Sequence, residues 1–116
     1  MKLRLRSNTI RLRLLEGEVA RLALGETIRE TLPTPQPFHF AIAPAAVAEL
    51  EADFCGDTLT IQVPSVWASG WLASVEVGRA ATSKGVHILI EKDWTCAIPR
   101  DGEEGSGTFP NPTALG

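Results

Sequence analysis

One pattern of residues occurs twice in this chain of 116 residues, about 49 positions apart, and it constrains the fold more than any other feature. The segment from Lys2 to Leu14, KLRLRSNTIRLRL, alternates apolar and polar residues around a short break, as two strands joined by a tight turn do. The segment from Glu51 to Val63, EADFCGDTLTIQV, repeats that alternation in the same phase. A helical stretch and two further strand-like stretches follow each segment. A duplicated strand–strand–helix–strand–strand unit implies an α+β fold, in which two halves build a small swapped-hairpin-like barrel or a twisted antiparallel sheet with two short helices. The expected organisation is one domain over 1–96, made of pseudo-repeats at about 1–44 and 49–93, with an extended tail over 97–116.

In the first unit, strands are expected near Lys2–Arg6 and Thr9–Leu14, with Leu3, Leu5, Ile10, Leu12 and Leu14 inward. Ser7-Asn8 forms the turn, because Asn tolerates positive φ. Leu15, Val19, Leu22 and Ala23 share one helical face, and Gly25 stops that helix. Strands near Thr27–Leu32 and Phe38–Ile42 flank the stiff segment Pro33–Pro37, with His39 opposite the apolar face. In the second unit, Gly56-Asp57 suits a type II′ turn. Pro64 opens a helix carrying Val66, Trp67 and Trp71. Strands are expected at Val75–Val77 and Val86–Ile90, with Ala80–Gly85 as a loop between them.

Composition bounds the chemistry. Hydrophobic content of 44% and charged content of 22% suit a globular domain that buries a core without disulfides. No apolar run approaches the roughly 20 residues that span a bilayer, so no membrane association is expected. The start, Met-Lys-Leu-Arg-Leu-Arg, lacks the apolar core of a signal peptide, which points to a cytoplasmic protein with Cys55 and Cys96 reduced.

The net charge of −3 is not that of a generally basic nucleic-acid binder, but its distribution is lopsided. Residues 1–14 carry Lys2, Arg4, Arg6, Arg11 and Arg13 with no acid, whereas 49–57 carry Glu49, Glu51, Asp53 and Asp57 with no base. A two-residue turn at Ser7-Asn8 places Lys2 opposite Arg13, Arg4 opposite Arg11 and Arg6 opposite Thr9. All five cations then share one hairpin face. Like charges opposed across strands are destabilising, so this face calls for counter-charge. The acidic second unit, through Glu51 and Asp53, is one source, and the acidic tail another. A phosphate-bearing ligand or nucleic acid, matched by the arginine guanidiniums, is a third. The candidate anion site is Lys2, Arg4, Arg6, Arg11 and Arg13, with Asn8 at the turn.

Other chemistry is less marked. Glu91, Lys92, Asp93 and Cys96 form an alternative pocket for a small molecule. His39 and His87 hold equivalent positions, but no ligand spacing supports a metal site. Neither cysteine lies in a nucleophile or C-x-x-C motif, and no cofactor-binding loop is present, so neither cofactor nor metal is expected. Trp67 and Trp71, spaced i and i+4, suit core packing, or a protein-partner surface if exposed.

Two resemblances add to these readings. Lys2-x-Arg4-x-Arg6-x-Asn8-Thr9-Ile10-Arg11-x-Arg13-Leu14, Glu91-Lys92-Asp93-Trp94-x-Cys96 and Phe109-Pro-Asn-Pro112 resemble a family of small uncharacterised bacterial proteins, a likeness over nearly the whole chain that implies no activity. The order of elements, Ser7-Asn8-Thr9-Ile10-Arg11-Leu12 and Thr60-Ile-Gln-Val-Pro64 are similar to the swapped-hairpin domains of AbrB-type and MazE-type regulators. That likeness implies DNA contact through the first hairpin, with one chain supplying both halves of the fold. The second unit departs from it by carrying Glu51, Asp53, Thr60 and Gln62 at the positions equivalent to the basic ones.

Overall fold

A computed structural model describes residues 1–95 and 109–110. The first unit consists of strands β1 (Lys2–Arg6) and β2 (Thr9–Leu14), helix α1 (Glu16–Ala23), and strands β3 (Ile28–Leu32) and β4 (Phe38–Ala45). The second consists of β5 (Glu51–Cys55), β6 (Thr58–Pro64), α2 (Ser65–Trp71), β7 (Gly78–Ser83) and β8 (Val86–Lys92). Two short strands, β9 (Trp94–Thr95) and β10 (Phe109–Pro110), pair in parallel. The rest of the expected tail and Cys96 lie outside the described residues, as does the side chain of Phe109.

The four long hairpins do not stay within their own units. One four-stranded sheet has the order β1-β2-β8-β7, joining the opening hairpin of the first unit to the closing hairpin of the second. The other has the order β3-β4-β6-β5 and joins the remaining pair. Each junction is parallel: β2 runs beside β8 from Thr9 and His87 onward, and β4 runs beside β6 from His39 and Thr58. The same backbone bond begins each junction. His87 N–H donates to the Asn8 carbonyl at 2.8 Å, and His39 N–H to the Asp57 carbonyl at 2.9 Å. The eight long strands form two separate sheets and do not close into the single barrel expected as one alternative.

The strands at the junctions carry the core, because a central strand buries its inward row completely. Leu12, Leu14, Ile88 and Ile90 of the first sheet meet Ile42, Ile61 and Val63 of the second, all at or below 1% exposure. Burying each such side chain contributes about 1.5–3 kcal/mol relative to exposure. The helices pack on one another and add Val19 and Leu22 from α1 and Ala68 and Trp71 from α2. Helix α1 ends at Gly25 as expected, with Gly25 N–H bonded to the Leu22 carbonyl and Glu26 N–H to that of Arg21. Glu18 caps its start by accepting from Leu15 N–H at 2.8 Å.

Several local expectations are corrected. The first turn has its positive φ at Ser7 (53°), not at Asn8. Gly56 takes φ 61° at the first central position, as a type II′ turn requires. Pro64 ends β6 and caps α2 from outside, and Val66, on that helix as expected, is 87% exposed. Val75–Val77 is not a strand, and Ala80–Gly85 is not a loop. The hairpin turns at Lys84-Gly85, where both residues have positive φ (52° and 82°), the pattern of a type I′ turn. That two-residue turn fixes the partner of β8 as Gly78–Ser83, with Thr82 opposite His87 and Gly78 opposite Glu91.

Candidate functional site

The opening hairpin has the expected register: Lys2 faces Arg13, Arg4 faces Arg11 and Arg6 faces Thr9. Its inward row, headed by Ile10, Leu12 and Leu14, is held by the core, so the basic row has only the outer face to occupy. Successive rungs are about 7 Å apart, two residues at roughly 3.4 Å each. Lys2, Arg4, Arg11 and Arg13 line a shallow depression of about 130 Å³, with Leu3 also in its lining. Arg6 lies beyond it, near the turn. Asn8 Nδ2 points to the Gly85 carbonyl at 3.5 Å, across to the turn of the β7–β8 hairpin.

Among the described residues, the counter-charge is not that of the acidic segment 49–57. Glu51 and Asp53 sit on β5 in the other sheet, and the acidic tail lies outside the described residues. It comes instead from the β8 end, because parallel pairing sets Glu91 beside Arg13. Arg11 Nε donates to Glu91 Oε1 at 2.6 Å, and Arg13 Nε lies 3.6 Å from the same oxygen. Lys2 Nζ lies 3.2 Å from Asp93 Oδ2. Asp93 is 95% buried, and among the described residues Oδ2 accepts no hydrogen bond, so its contact with the exposed Lys2 is an ion pair without directional bonding. Counting the described residues alone, five cations less two carboxylates leave three positive charges on this face. Arg4 and Arg6 have no acidic partner among the described residues.

The proposed alternative pocket is thereby divided. Glu91 and Asp93 join the basic face, whereas Lys92 points the other way into the core. Its Nζ donates to the Ser74 carbonyl at 2.9 Å and lies 6.0 Å from the Trp71 ring centroid. Burial holds its ammonium below the usual lysine pKa, and nearby Glu76 partly offsets this. Cys96, the fourth member, lies outside the described residues.

The outer face of the second sheet differs in charge but not in frame. His39 and His87 sit on different sheets, in β4 and β8. Each has Nδ1 beside a cross-strand threonine hydroxyl, Thr31 at 2.7 Å and Thr82 at 2.9 Å. Among the described residues no three His, Cys, Asp or Glu side chains gather as metal ligands. Cys55 is exposed with a free thiol.

The matching family model covers residues 1–113. The chain belongs to a family of unknown function (DUF7009). No curated protein and no solved structure matches it. Among the described residues no helix is long and apolar enough to cross a membrane.

A second depression, of about 580 Å³, lies between Ala45–Ala48 and the start of α2, beside Trp67. Trp71 is fully buried in the core and stacked on Trp67 at 4.6 Å, whereas Trp67 is half-buried, packed against the core and lining this groove. The cation at this groove among the described residues, Arg79, is already engaged. Nε and a terminal nitrogen of its guanidinium donate to the two Glu49 oxygens at 2.9 and 3.0 Å, and its carbon lies 5.5 Å from the Trp67 ring centroid. Those hydrogen bonds hold the Glu49 carboxyl below its ordinary pKa. Sequence reasoning did not find this pair, because Arg79 lies on the strand that was misplaced.

Proposed function

We propose that this protein is a non-enzymatic binding module whose basic hairpin face takes a phosphate-bearing ligand. The observation that carries this is the convergence of Lys2, Arg4, Arg11 and Arg13 on one depression with, among the described residues, only Glu91 and Asp93 against them. Guanidinium groups bind phosphate oxygens with two parallel charge-assisted hydrogen bonds, and Arg4 has its fork available for this. A second function, contact with a nucleic-acid backbone, draws on the continuation of the row to Arg6. The exchange of hairpins between the two units also supports kinship with the swapped-hairpin regulators, through an internal duplication that put both halves in one chain.

Titration of the whole protein with phosphate, AMP and a short duplex DNA at low salt tests this function. Binding is expected to weaken linearly with log salt, and to be lost in the double variant Arg4→Ala, Arg11→Ala. A wild-type protein that binds none of the three at low ionic strength refutes it.

A further inference from the structure

Glu91 occupies the place on the basic face that a ligand's oxyanion would take. One of its oxygens lies 2.6 Å from Arg11 Nε and 3.6 Å from Arg13 Nε, so a single carboxylate faces two guanidiniums of the β2 row. Its backbone is locked in the β2–β8 ladder, but its side chain keeps 19% exposure at the edge of the depression. It can turn to water without disturbing the core. Asp93 cannot, being 95% buried with its N–H bonded to the Leu14 carbonyl at 2.8 Å. Arg4, opposite Arg11, has no described acid to satisfy it.

We propose that Glu91 is an internal stand-in for the ligand's anion, displaced on binding, and that the site therefore selects phosphomonoesters over phosphodiesters. This rests on the basic-face function proposed above and gives it a ligand class. A diester brings one negative charge to replace the one that Glu91 withdraws, so the guanidiniums gain little. A monoester carries about −1.5 to −2 at neutral pH, and the surplus meets the charge on Arg4 that nothing described neutralises. The preferred group is then a terminal phosphate, not the diester backbone of a nucleic acid.

AMP and 3′,5′-cyclic AMP share base and sugar and differ in ester class. Isothermal titration of the full chain at low ionic strength is expected to show AMP at least about tenfold tighter than cyclic AMP, since one added charge acts at contact distance. Glu91→Gln removes the competing charge and is expected to tighten both ligands by roughly fivefold. Taking the wild type from pH 7.5 to 5 removes the second charge of AMP near pH 6 and should bring its affinity toward that of cyclic AMP. This arm needs only the wild type, so it stands even if Glu91→Gln folds poorly. Equal wild-type affinity for the two nucleotides overturns the proposal, as does weaker AMP binding by folded Glu91→Gln, which would make Glu91 a positioning residue for Arg11. So does a short single strand that binds equally with and without a 5′-phosphate. Failure of every ligand on both proteins overturns the basic-face function itself.

Discussion

Trp71→Ala should be among the most destabilising single substitutions in this chain. The indole is fully buried where α2 meets the sheets, stacks on Trp67 at 4.6 Å and donates from Nε1 to the Glu76 carbonyl at 3.0 Å. An aromatic side chain of this kind buries roughly 200 Å², and at about 25 cal/mol per Å² its transfer is worth about 5 kcal/mol. Partial collapse of the space recovers some of that, which places the expected loss at about 3–5 kcal/mol. The Glu76 carbonyl adds little, because Glu76 is exposed and water replaces the indole donor. Trp71→Phe keeps a ring and should lose about 1–2 kcal/mol by the same reasoning. Urea unfolding followed by far-ultraviolet circular dichroism reports both variants without relying on tryptophan emission. A loss under about 1.5 kcal/mol for Trp71→Ala would refute the placement of this ring in the shared core.

Three further outcomes follow from local geometry. The Met1 α-amino group is buried, which alone would lower its pKa, but hydrogen bonds to Glu18 at 2.8 Å and Glu30 at 3.0 Å outweigh that and hold it above its usual 8.0. A raised folded pKa gives stability that is complete below pH 8 and lost as pH rises through the folded value. Between pH 7.5 and 9.5, protein with a free Met1 amine should therefore lose more stability than the Glu18→Gln, Glu30→Gln variant, and equal losses would contradict this. Gly85→Ala forces a side chain onto φ 82° and should cost about 1–2 kcal/mol in urea unfolding, whereas Gly17→Ala, inside α1 and facing open space, should be neutral or stabilising. Gly78→Ala sets a Cβ against the Ile90 carbonyl oxygen and must push β7 from β8, so it should lower the melting temperature and disturb amide resonances at Glu91. An unchanged spectrum there would count against the β7–β8 register.

What was legible in the sequence was whatever a two-residue period and a two-residue turn determine locally. Those two facts are enough to place Arg4 across from Arg11 and Lys2 across from Arg13. Strand β7 was missed because Gly-Arg-Ala-Ala-Thr-Ser has no bulky residues to alternate, and the valines before it offered a stronger but false pattern. The exchange of hairpins left no local mark, since parallel pairing of β2 with β8 joins residues about 80 positions apart. Glu91 therefore could not be read as the counter-charge to Arg11, and Glu51 and Asp53 were the natural but mistaken source. The candidate basic residues were legible, but the carboxylates that face them became visible only with the topology.

Amide chemical-shift mapping with AMP at low salt tests the central claim most directly, because it locates the ligand as well as detecting it. Shifts are expected along Lys2–Arg6, Thr9–Leu14 and the Glu91 end of β8, saturating with one ligand per chain and vanishing in Arg4→Ala, Arg11→Ala. Shifts confined to the β5–β6 hairpin or to the groove beside Trp67, or no shifts at all, would contradict it.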